Sequence, residues 1–325
     1  MTRVDVRSDG GRFAAACAEL SQTASGLTAA EVDRLLSPQV PGWRLRGDGS
    51  VELSWWDLFV LWHYVTMQLT TAGAGSNRAH GGPVFLPWHR LFMIRLEQVL
   101  QQVTGDDDLA LPWWDWAADG ERPVDEQHLG ELWSPDHLGP SRGEVDAGPL
   151  AALRVRLTQG FAPAVGMFLE AHAPRRIRRE AGADPRFGGL PTKADVEAAL
   201  DAEDYDLGPW DVNAGGFRNL AEGWRRDPPN MHNRVHVWVG GDMGPGTSPN
   251  DPVFYLNHCN VDRIWEARRR APGGLAYAPE ASVAGAPAGH RLDDPLVALL
   301  GEAMTPAEVL DPTPWYDYDD LDVAG

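Results

Sequence analysis

Six of the ten histidines in this chain of 325 residues fall into two groups of three, and each group lies in a segment rich in aromatic residues. The first group is His63, His80 and His89, and the second is His232, His236 and His258. Imidazole is a good ligand for copper, zinc, iron and nickel. Three protein ligands leave a coordination position open, as catalytic rather than structural metal sites do. The pattern therefore predicts two catalytic metal sites built from imidazole alone.

The spacing within the second group suits chelation of a single ion. His232 and His236 are four residues apart, so on a helix both rings project from one face about one turn apart. Zinc proteases share this spacing but need a glutamate directly after the first histidine as general base. Asn233 stands in that place. Metal-assisted hydrolysis would lack its proton acceptor, which argues against a protease.

The elements that must position the first group are two helices and a loop. Ser54 is a suitable N-cap for a long helix that carries His63 in its interior. Residues 73–82 form a polar, Gly-rich loop that holds the second histidine of the group. Proline is favoured in the first turn of a helix, so Pro87 predicts a helix that begins there, with His89 in its first turn.

The second group repeats this arrangement of helix, loop and helix. We expect a helix over residues 231–239, a Gly/Pro-rich loop over 240–250 and a helix from about 252 to 269. Two such pairs facing each other make a four-helix bundle with metals at its centre. The sequence therefore predicts a mainly α fold with long irregular loops and few short strands.

Flanking segments look like scaffold. Apolar residues at helical spacing predict a helix over residues 12–20, after a short extended start at 4–6. Thr28 and Glu31 form the pattern of a capping box that opens a second helix. Residues 112–222 are rich in Gly and Pro, and we expect them to be irregular, with the arginine run at 175–179 on a solvated face.

Composition indicates one large domain over residues 1–325, with enough hydrophobic residues, 43%, for a substantial core. The formal net charge of −19 argues against nucleic acid and anionic membranes as partners. Cys17 and Cys259 lie far apart, and we expect two buried thiols rather than a disulfide. No apolar run approaches the roughly 20 residues of a membrane span, and no signal peptide is visible. We therefore expect a cytoplasmic protein, although export with a helper protein stays open.

Four segments resemble the bacterial branch of the tyrosinase and catechol oxidase family, the polyphenol oxidases. They are residues 86–90 (LPWHR), 111–116 (LPWWDW), 232–241 (HNRVHVWVGG) and 250–262 (NDPVFYLNHCNVD). The resemblance covers residues 55–318, which implies a catalytic core there, N-terminal scaffold helices over 1–54 and no C-terminal shielding domain. It also implies a type 3 centre of two copper ions, one on each histidine group, with O2 as co-substrate. Spacing alone does not identify the metal as copper.

The resemblance implies catalytic roles for Glu222 and Asn233, as the pair that orients a water to deprotonate an incoming phenol. Phenols have a reference pKa near about 10, so removal of the proton is a real barrier. The loop between Glu222 and His232 looks one residue longer than in the family's close bacterial members.

Other positions follow from the same resemblance. It places these residues beside the substrate: Phe254, Val237, Pro245 and Gly246. Asp262, one turn after His258, is expected to support the geometry of the ligands from behind. Asn257 departs from the family, which commonly has a histidine directly before the last ligand, so the support of His258 must differ here.

We therefore expect an enzyme that hydroxylates monophenols at the ortho position and oxidises o-diphenols to o-quinones. An o-diphenol or o-aminophenol oxidase without the hydroxylation step is the near alternative, and a hemocyanin-like oxygen carrier is a remote one. The expected partners are a small phenolic, catecholic or o-aminophenolic substrate and a helper protein that delivers copper. Pigment formation and secondary-metabolite synthesis would use the same ligands, so the natural substrate stays open.

Overall fold

A computed structural model describes residues 1–224, 230–280 and 283–324 of the chain. The α-helices are α1 (Val6–Leu20), α2 (Ala29–Leu36), α3 (Trp55–Gln68), α4 (Phe85–Thr104), α5 (Trp116–Gly120), α6 (Lys193–Leu200), α7 (Phe217–Glu222), α8 (Met231–Val239), α9 (Val253–Arg270) and α10 (Pro306–Val309). The strands are β1 (Thr2–Arg3), β2 (Ala24–Thr28), β3 (Leu45–Gly47), β4 (Glu52–Ser54), β5 (Arg142–Glu144), β6 (Val155–Ala162), β7 (Gly166–Arg175), β8 (Arg178–Glu180) and β9 (Asp317–Tyr318).

Helices α3, α4, α8 and α9 form the central bundle that the sequence predicts. Helix α3 is apolar on nearly every side, and its residues from Trp56 to Thr66 are all buried, as expected of a helix inside the core. Aromatic side chains join the helices: Trp62 of α3 lies 5.1 Å from Phe92 of α4, and Phe92 stacks on Tyr255 of α9 at 5.8 Å between ring centroids. The predicted mainly α fold is confirmed.

Helix starts agree with the capping signals but not with the proline signal. Ser54 and Asp57 form a capping box at α3, and Thr28 and Glu31 form one at α2. Helix α4 begins at Phe85, so Pro87 is its third residue and the predicted start was two residues late. Because the first turn has no internal acceptor for its N–H groups, proline fits at any of these positions. His89 consequently lies in the second turn.

The N-terminal segment is more ordered than expected. Helix α1 begins at Val6, not at residue 12, because the Asp5 side chain accepts a hydrogen bond from the Arg7 N–H at 2.7 Å and caps it. Strand β1 precedes it and pairs in parallel with β9, far along the chain. The two ends of the described chain therefore meet on one side of the bundle.

The prediction of an irregular segment over residues 112–222 was partly wrong. Strands β6 and β7 form an antiparallel hairpin, β3 adds to β7 in parallel, and β5 pairs with β8. Arg179 in the arginine run is fully buried in a two-pronged pair with Asp251, at 2.6 and 2.7 Å, so a solvated face does not describe it.

Two further expectations concern cysteines and membranes. Cys17 and Cys259 are both buried and free, as predicted. Among the described residues, no helix is both long enough and apolar enough to cross a bilayer.

Candidate metal centre

Both histidine groups converge in the centre of the bundle. One triad joins His63 of α3, His80 of the loop before α4, and His89 of α4; the ligand nitrogens of these three rings lie within 4.8 Å of one another. The other triad, His232 and His236 of α8 with His258 of α9, meets the same limit. Each triad therefore has the dimensions of a site for one ion.

The two triads are in direct contact through their histidine rings. The rings of His89 and His258 stack at 4.0 Å between centroids with an angle of 11° between their planes. His80 and His232 approach across the centre at 6.2 Å. The two candidate ion sites are thus neighbours in one centre, as a dinuclear arrangement requires.

Main-chain carbonyls set the protonation of three ligands. The Nδ1 atoms of His63, His89 and His236 lie 2.8, 2.7 and 2.7 Å from the carbonyl oxygens of Gly246, Phe85 and Met243. Because a carbonyl only accepts, each Nδ1 carries the hydrogen and each Nε2 is left with a bare lone pair. In such sites this hydrogen bond orients the ring as a metal ligand.

The free nitrogens fit copper. In the second triad Nε2 of His232 lies 3.0 Å from Nε2 of His258 and 2.9 Å from Nε2 of His236. Lone pairs that converge in this way repel one another unless a cation lies between them. The Nε2 atoms of His63 and His89 are buried without a protein partner among the described residues. A set of neutral imidazoles is a donor set that copper accepts.

Burial keeps the ligands neutral. Removal from water lowers the pKa of His63 to about 3 and that of His236 to about 4, because the charged form loses its hydration. Burial and then the neighbouring histidines lower the pKa values of His80, His89 and His258 well below the ordinary value. Metal binding requires the neutral imidazole, so the rings are ready to bind near neutral pH.

Two phenylalanines enclose the centre. Phe254 contacts His258 at 4.3 Å and His63 at 5.0 Å between ring centroids, which joins the two triads. It is fully buried and does not line the cleft described below, so its role beside the substrate stays a prediction. The sequence reasoning missed Phe85, which packs against His89 and His232 at 4.9 and 4.8 Å. Its position one turn before His89 was the available signal.

A cleft of about 410 Å³ opens onto the centre from solvent. Its wall contains three of the predicted substrate residues, Val237, Pro245 and Gly246, as well as Asn233. Residues that the sequence reasoning did not single out also line it: Met67, Gly75, Asn77, Trp224, Gly244 and Ser248. The cleft reaches His63, His80, His232 and His236, so a small molecule in it would face both triads.

Asn233 lies at the cleft with one hydrogen-bonding group spare. Its Oδ1 lies 3.0 Å from Nδ1 of His232, and its Nδ2 has no protein partner among the described residues. The amide therefore orients a ligand with one end and offers a donor with the other.

Glu222 ends α7 behind the wall of the cleft and is fully buried. Its Oε1 accepts a hydrogen bond from the Gly81 N–H at 2.7 Å, and its Oε2 accepts one from Arg218 Nη1 at 3.1 Å. Burial raises the pKa of Glu222, and Arg218, the Gly81 N–H and the Trp224 side chain act against that rise. The loop between Glu222 and α8, expected to be one residue longer than in the family's close bacterial members, contains residues 225–229, which lie outside the described part of the chain.

The two predicted supporting residues contact protein rather than ligand rings. Asp262 accepts hydrogen bonds from Arg90 Nε at 2.7 Å and from the hydroxyls of Tyr316 and Tyr318 at 2.5 and 2.6 Å, so it joins α9 to α4 beside His89. Asn257 is fully buried, and its Nδ2 lies 3.4 Å from the carbonyl oxygen of His232. Both support the helices that carry the ligands.

Comparison with known sequences decides the family. The sequence model of the common central domain of tyrosinase matches residues 53–271, which include all six histidines. The chain belongs to the tyrosinase family. A relative of this tyrosinase-family chain is the tyrosinase of Streptomyces glaucescens, which is 40% identical over 81% of this chain and 88% of its own length.

Two other comparisons place this tyrosinase-family chain more broadly. Grixazone synthase of Streptomyces griseus is 35% identical over 75% of this chain and 83% of its own length. A solved structure of a polyphenol oxidase variant from Thermothelomyces thermophila superposes with a TM-score of 0.64 at 20% identity, over 98% of this chain and 89% of the other. The protein is accordingly a tyrosinase-like type 3 copper oxidase, with two copper ions and O2 as its cofactor and co-substrate.

Proposed function

We propose that the enzyme hydroxylates monophenols at the ortho position and oxidises the resulting o-diphenols to o-quinones. One monophenol and one O2 then yield one o-quinone and one water, while two o-diphenols and one O2 yield two o-quinones and two waters. The observation that carries this proposal is the cleft, which gives a small molecule access to both histidine triads at once.

In this proposal His63, His80 and His89 hold one copper ion, and His232, His236 and His258 hold the other. When bound, the copper pair supplies the reduction of O2 and the transfer of oxygen or electrons to and from the phenol. The protein contributes six neutral imidazoles, whose low pKa values keep protons from competing for the ligand nitrogens.

Glu222 and Asn233 prepare the phenol. In this role the free Nδ2 of Asn233 would donate to a water at the cleft, and the carboxylate of Glu222 would accept a hydrogen from that water. The phenol proton passes to this water and from there towards Glu222, whose raised pKa makes it a stronger base than an exposed glutamate. Catechols are more acidic and need this step less.

The substrate ring lies among small or apolar residues. Val237 follows His236 directly, and Pro245 and Gly246 form the mouth on the other side. None of these side chains carries a charge, so the cleft selects an uncharged aromatic ring by shape and contact. Phe254, beneath the histidines, keeps the ligand rings that face the substrate in place.

A second candidate is an o-diphenol or o-aminophenol oxidase that lacks the hydroxylation step. One observation favours it: Glu222 is behind the cleft wall, and both carboxylate oxygens already accept hydrogen bonds from protein donors. In that case the carboxylate is structural, and substrates that need no base would be the natural ones.

The proposed assembly is one catalytic domain with its core over residues 55–318, served by a helper protein that delivers copper. Five of the six ligand side chains are buried and that of His236 is half-buried. Copper would therefore enter through the cleft, and a helper protein bound at the mouth of the cleft could release the ion close to the histidines.

Oxygen uptake by the copper-loaded enzyme on matched monophenols, catechols and o-aminophenols tests the proposal. Glu222→Gln and Asn233→Ala are then compared by the ratio of kcat/KM for a monophenol to that for its catechol, so that general damage cancels. Because a placed base contributes about 10²–10⁴-fold, we expect the ratio to fall by about that much in Glu222→Gln. A wild-type enzyme inactive on every monophenol would establish the second candidate instead.

A further inference from the structure

A single cation contacts Glu222 among the hydrogen bonds and ion pairs of the described residues. Arg218 lies one turn earlier on α7, and its Nη1 is 3.1 Å from Oε2 of Glu222. Both side chains are fully buried, so water does not screen the pair. The direction of Arg218 therefore decides where one carboxylate oxygen of Glu222 lies.

Arg218 is itself held from the opposite side. Its Nε and Nη2 donate to the two carboxylate oxygens of Asp206 at 2.7 and 3.1 Å, and Nη2 also donates to the carbonyl oxygen of Asp211 at 2.9 Å. The two parallel bonds to Asp206 fix the plane of the guanidinium. In this orientation Nη1 points at Glu222.

The same segment reaches the first histidine triad. The Asp211 carboxylate accepts a hydrogen bond from the Ala74 N–H at 3.0 Å, at the start of the loop that carries His80. The Tyr205 hydroxyl donates to the Pro83 carbonyl at 2.7 Å, just before α4. Residues 204–213 thus connect the loop of His80, the start of α4 and, through Arg218, the carboxylate of Glu222.

We propose that Arg218 is a positioning residue for hydroxylation: clamped by Asp206, it holds the Glu222 carboxylate at a set distance from the His80 loop and so places the base that receives the phenol proton. The inference rests on the proposed role of Glu222. It assigns to Arg218 no contact with substrate or metal. Its effect should appear in monophenol turnover and be nearly absent from catechol turnover.

Arginine is suited to this task for a geometric reason. Its planar fork binds Asp206 with two bonds while a third nitrogen stays directed at Glu222. The ammonium of a lysine is a single point of charge and cannot hold both directions. Arg218→Lys therefore keeps the charge but releases the carboxylate, and a misplacement of about 1 Å can cost up to about 10²-fold in rate.

The first experiment compares Arg218→Lys with Arg179→Lys. Arg179 makes the same buried two-pronged pair, with Asp251, but has no bond to Glu222, so its variant controls for damage to a buried Arg–Asp pair. We expect Arg218→Lys to lower the monophenol-to-catechol ratio of kcat/KM by about tenfold, through kcat for the monophenol. Arg179→Lys should leave the ratio at the wild-type value, and both should retain two copper ions per chain.

A second variant protects the test against misfolding. Arg218→Gln with Asp206→Asn removes one positive and one negative group, so the buried cluster keeps its net charge while Glu222 loses the hydrogen bond from Arg218 and keeps that from Gly81. We expect the same fall in the ratio. Adding Glu222→Gln to either variant should lower the ratio no further than Glu222→Gln alone, because Arg218 acts through Glu222.

The outcomes separate the two proposals. A wild-type ratio in both Arg218 variants, with a lowered ratio in Glu222→Gln, would overturn the role of Arg218 and leave that of Glu222 intact. Additive losses in the combined variants would also overturn it, because Arg218 would then act by another route. A wild-type ratio in Glu222→Gln itself would remove the proposed function of that residue and this inference with it.

Discussion

The two histidine triads hold similar ions by different means. The second triad comes from two adjoining helices, and Nε2 of His232 lies 3.0 and 2.9 Å from the Nε2 atoms of His258 and His236. The first triad depends on a loop for His80, whose Nδ1 has no partner among the described residues. One triad is thus set by helix packing and the other in part by a loop and the residues that hold it.

This difference shows where each site is vulnerable. A change in the second triad can act through helix packing around α8 and α9, or through the Met243 carbonyl that orients His236. A change in the first triad can act through glycines in the loop of residues 73–82, or through Asp211 and Tyr205, which hold its two ends. Supports of the loop therefore matter for only one of the two ions.

The largest expected effect is the removal of one ligand from each triad. His89→Ala and His236→Ala should each reduce copper from two to about one per chain, because two remaining imidazoles bind an ion poorly in place of three. Oxygen uptake with a catechol should fall to background in both, as a single ion cannot perform the paired chemistry. Elemental analysis and oxygen uptake measure this. Two copper ions retained in either variant would refute the assignment of that triad.

The next effect is a dependence of the stability of the metal-free protein on pH. The pKa values of His63 and His236 are lowered to about 3 and about 4, whereas unfolded histidine titrates near about 6.5. Below about pH 6.5 the unfolded state binds protons that the folded state does not. The contribution of these histidines to the free energy of unfolding is therefore full above that pH and falls as the pH drops towards 4. Each such histidine contributes up to about 1.4 kcal/mol per pH unit.

Denaturant unfolding of the metal-free protein at several pH values measures this slope, and NMR titration of the histidine ring protons tests whether His63 and His236 stay neutral below about pH 6.5. A flat stability curve between pH 4 and about 6.5 would show that the histidines are not held neutral by burial.

A smaller effect should come from the loop of the first triad. Gly81 follows His80 with a φ of +67°, and a Cβ there would lie 2.4 Å from the carbonyl oxygen of Gly75. Gly81→Ala should cost about 1–2 kcal/mol for the left-handed backbone and about 1–3 kcal/mol more for the clash. Copper should be lost from the first triad before the second.

Gly143→Ala is the matched control, because Gly143 has a φ of +80° and a Cβ added there would meet no atom within 4 Å. It should show only the backbone cost of about 1–2 kcal/mol and bind two copper ions. Urea unfolding and copper per chain distinguish the two variants. Equal copper affinity at both sites in Gly81→Ala would contradict the dependence of the first triad on its loop.

The smallest effect concerns the support of α9 in the second triad. Tyr318→Phe removes one of two hydroxyl donors to Oδ2 of Asp262 and leaves that of Tyr316. We expect a loss of about 1.5–3 kcal/mol in unfolding free energy, the range for a hydrogen bond to a charged group. Catechol turnover should be unchanged. If copper were lost while the unfolding free energy fell only by the expected amount, Asp262 would instead support His258 directly.

The sequence predicted those parts of the site that depend on local patterns. Helical spacing placed His232 and His236 on one face of a helix, where their Nε2 atoms lie 2.9 Å apart, and the side chains of Ser54 and Thr28 marked the starts of two helices. These predictions succeeded because capping bonds and i, i+4 geometry are made between residues close in the chain.

The remainder depends on contacts that no local pattern encodes. Arg218 meets Asp206 only because residues 204–213 fold back along α7, and Arg179 is buried because Asp251 is brought to it from 72 residues away. The backbone of Met231, with a φ of +46° directly before His232, is likewise imposed by the fold. The features that the sequence did not predict therefore depend on pairing between residues that are not neighbours in the chain.

Gly246 combines two tasks at the mouth of the cleft. Its carbonyl oxygen accepts the hydrogen on Nδ1 of His63, and its N–H donates to Oε1 of Gln159 in the hairpin of β6 and β7. A glycine presents no bulk to an incoming ring, yet displacing its peptide would break the bond that orients a ligand. A substrate that pushed this peptide aside would therefore also weaken the hydrogen bond that orients His63. Attempts to enlarge the range of substrates would do better to alter the hairpin, which moves this peptide, than to trim the side chains around it.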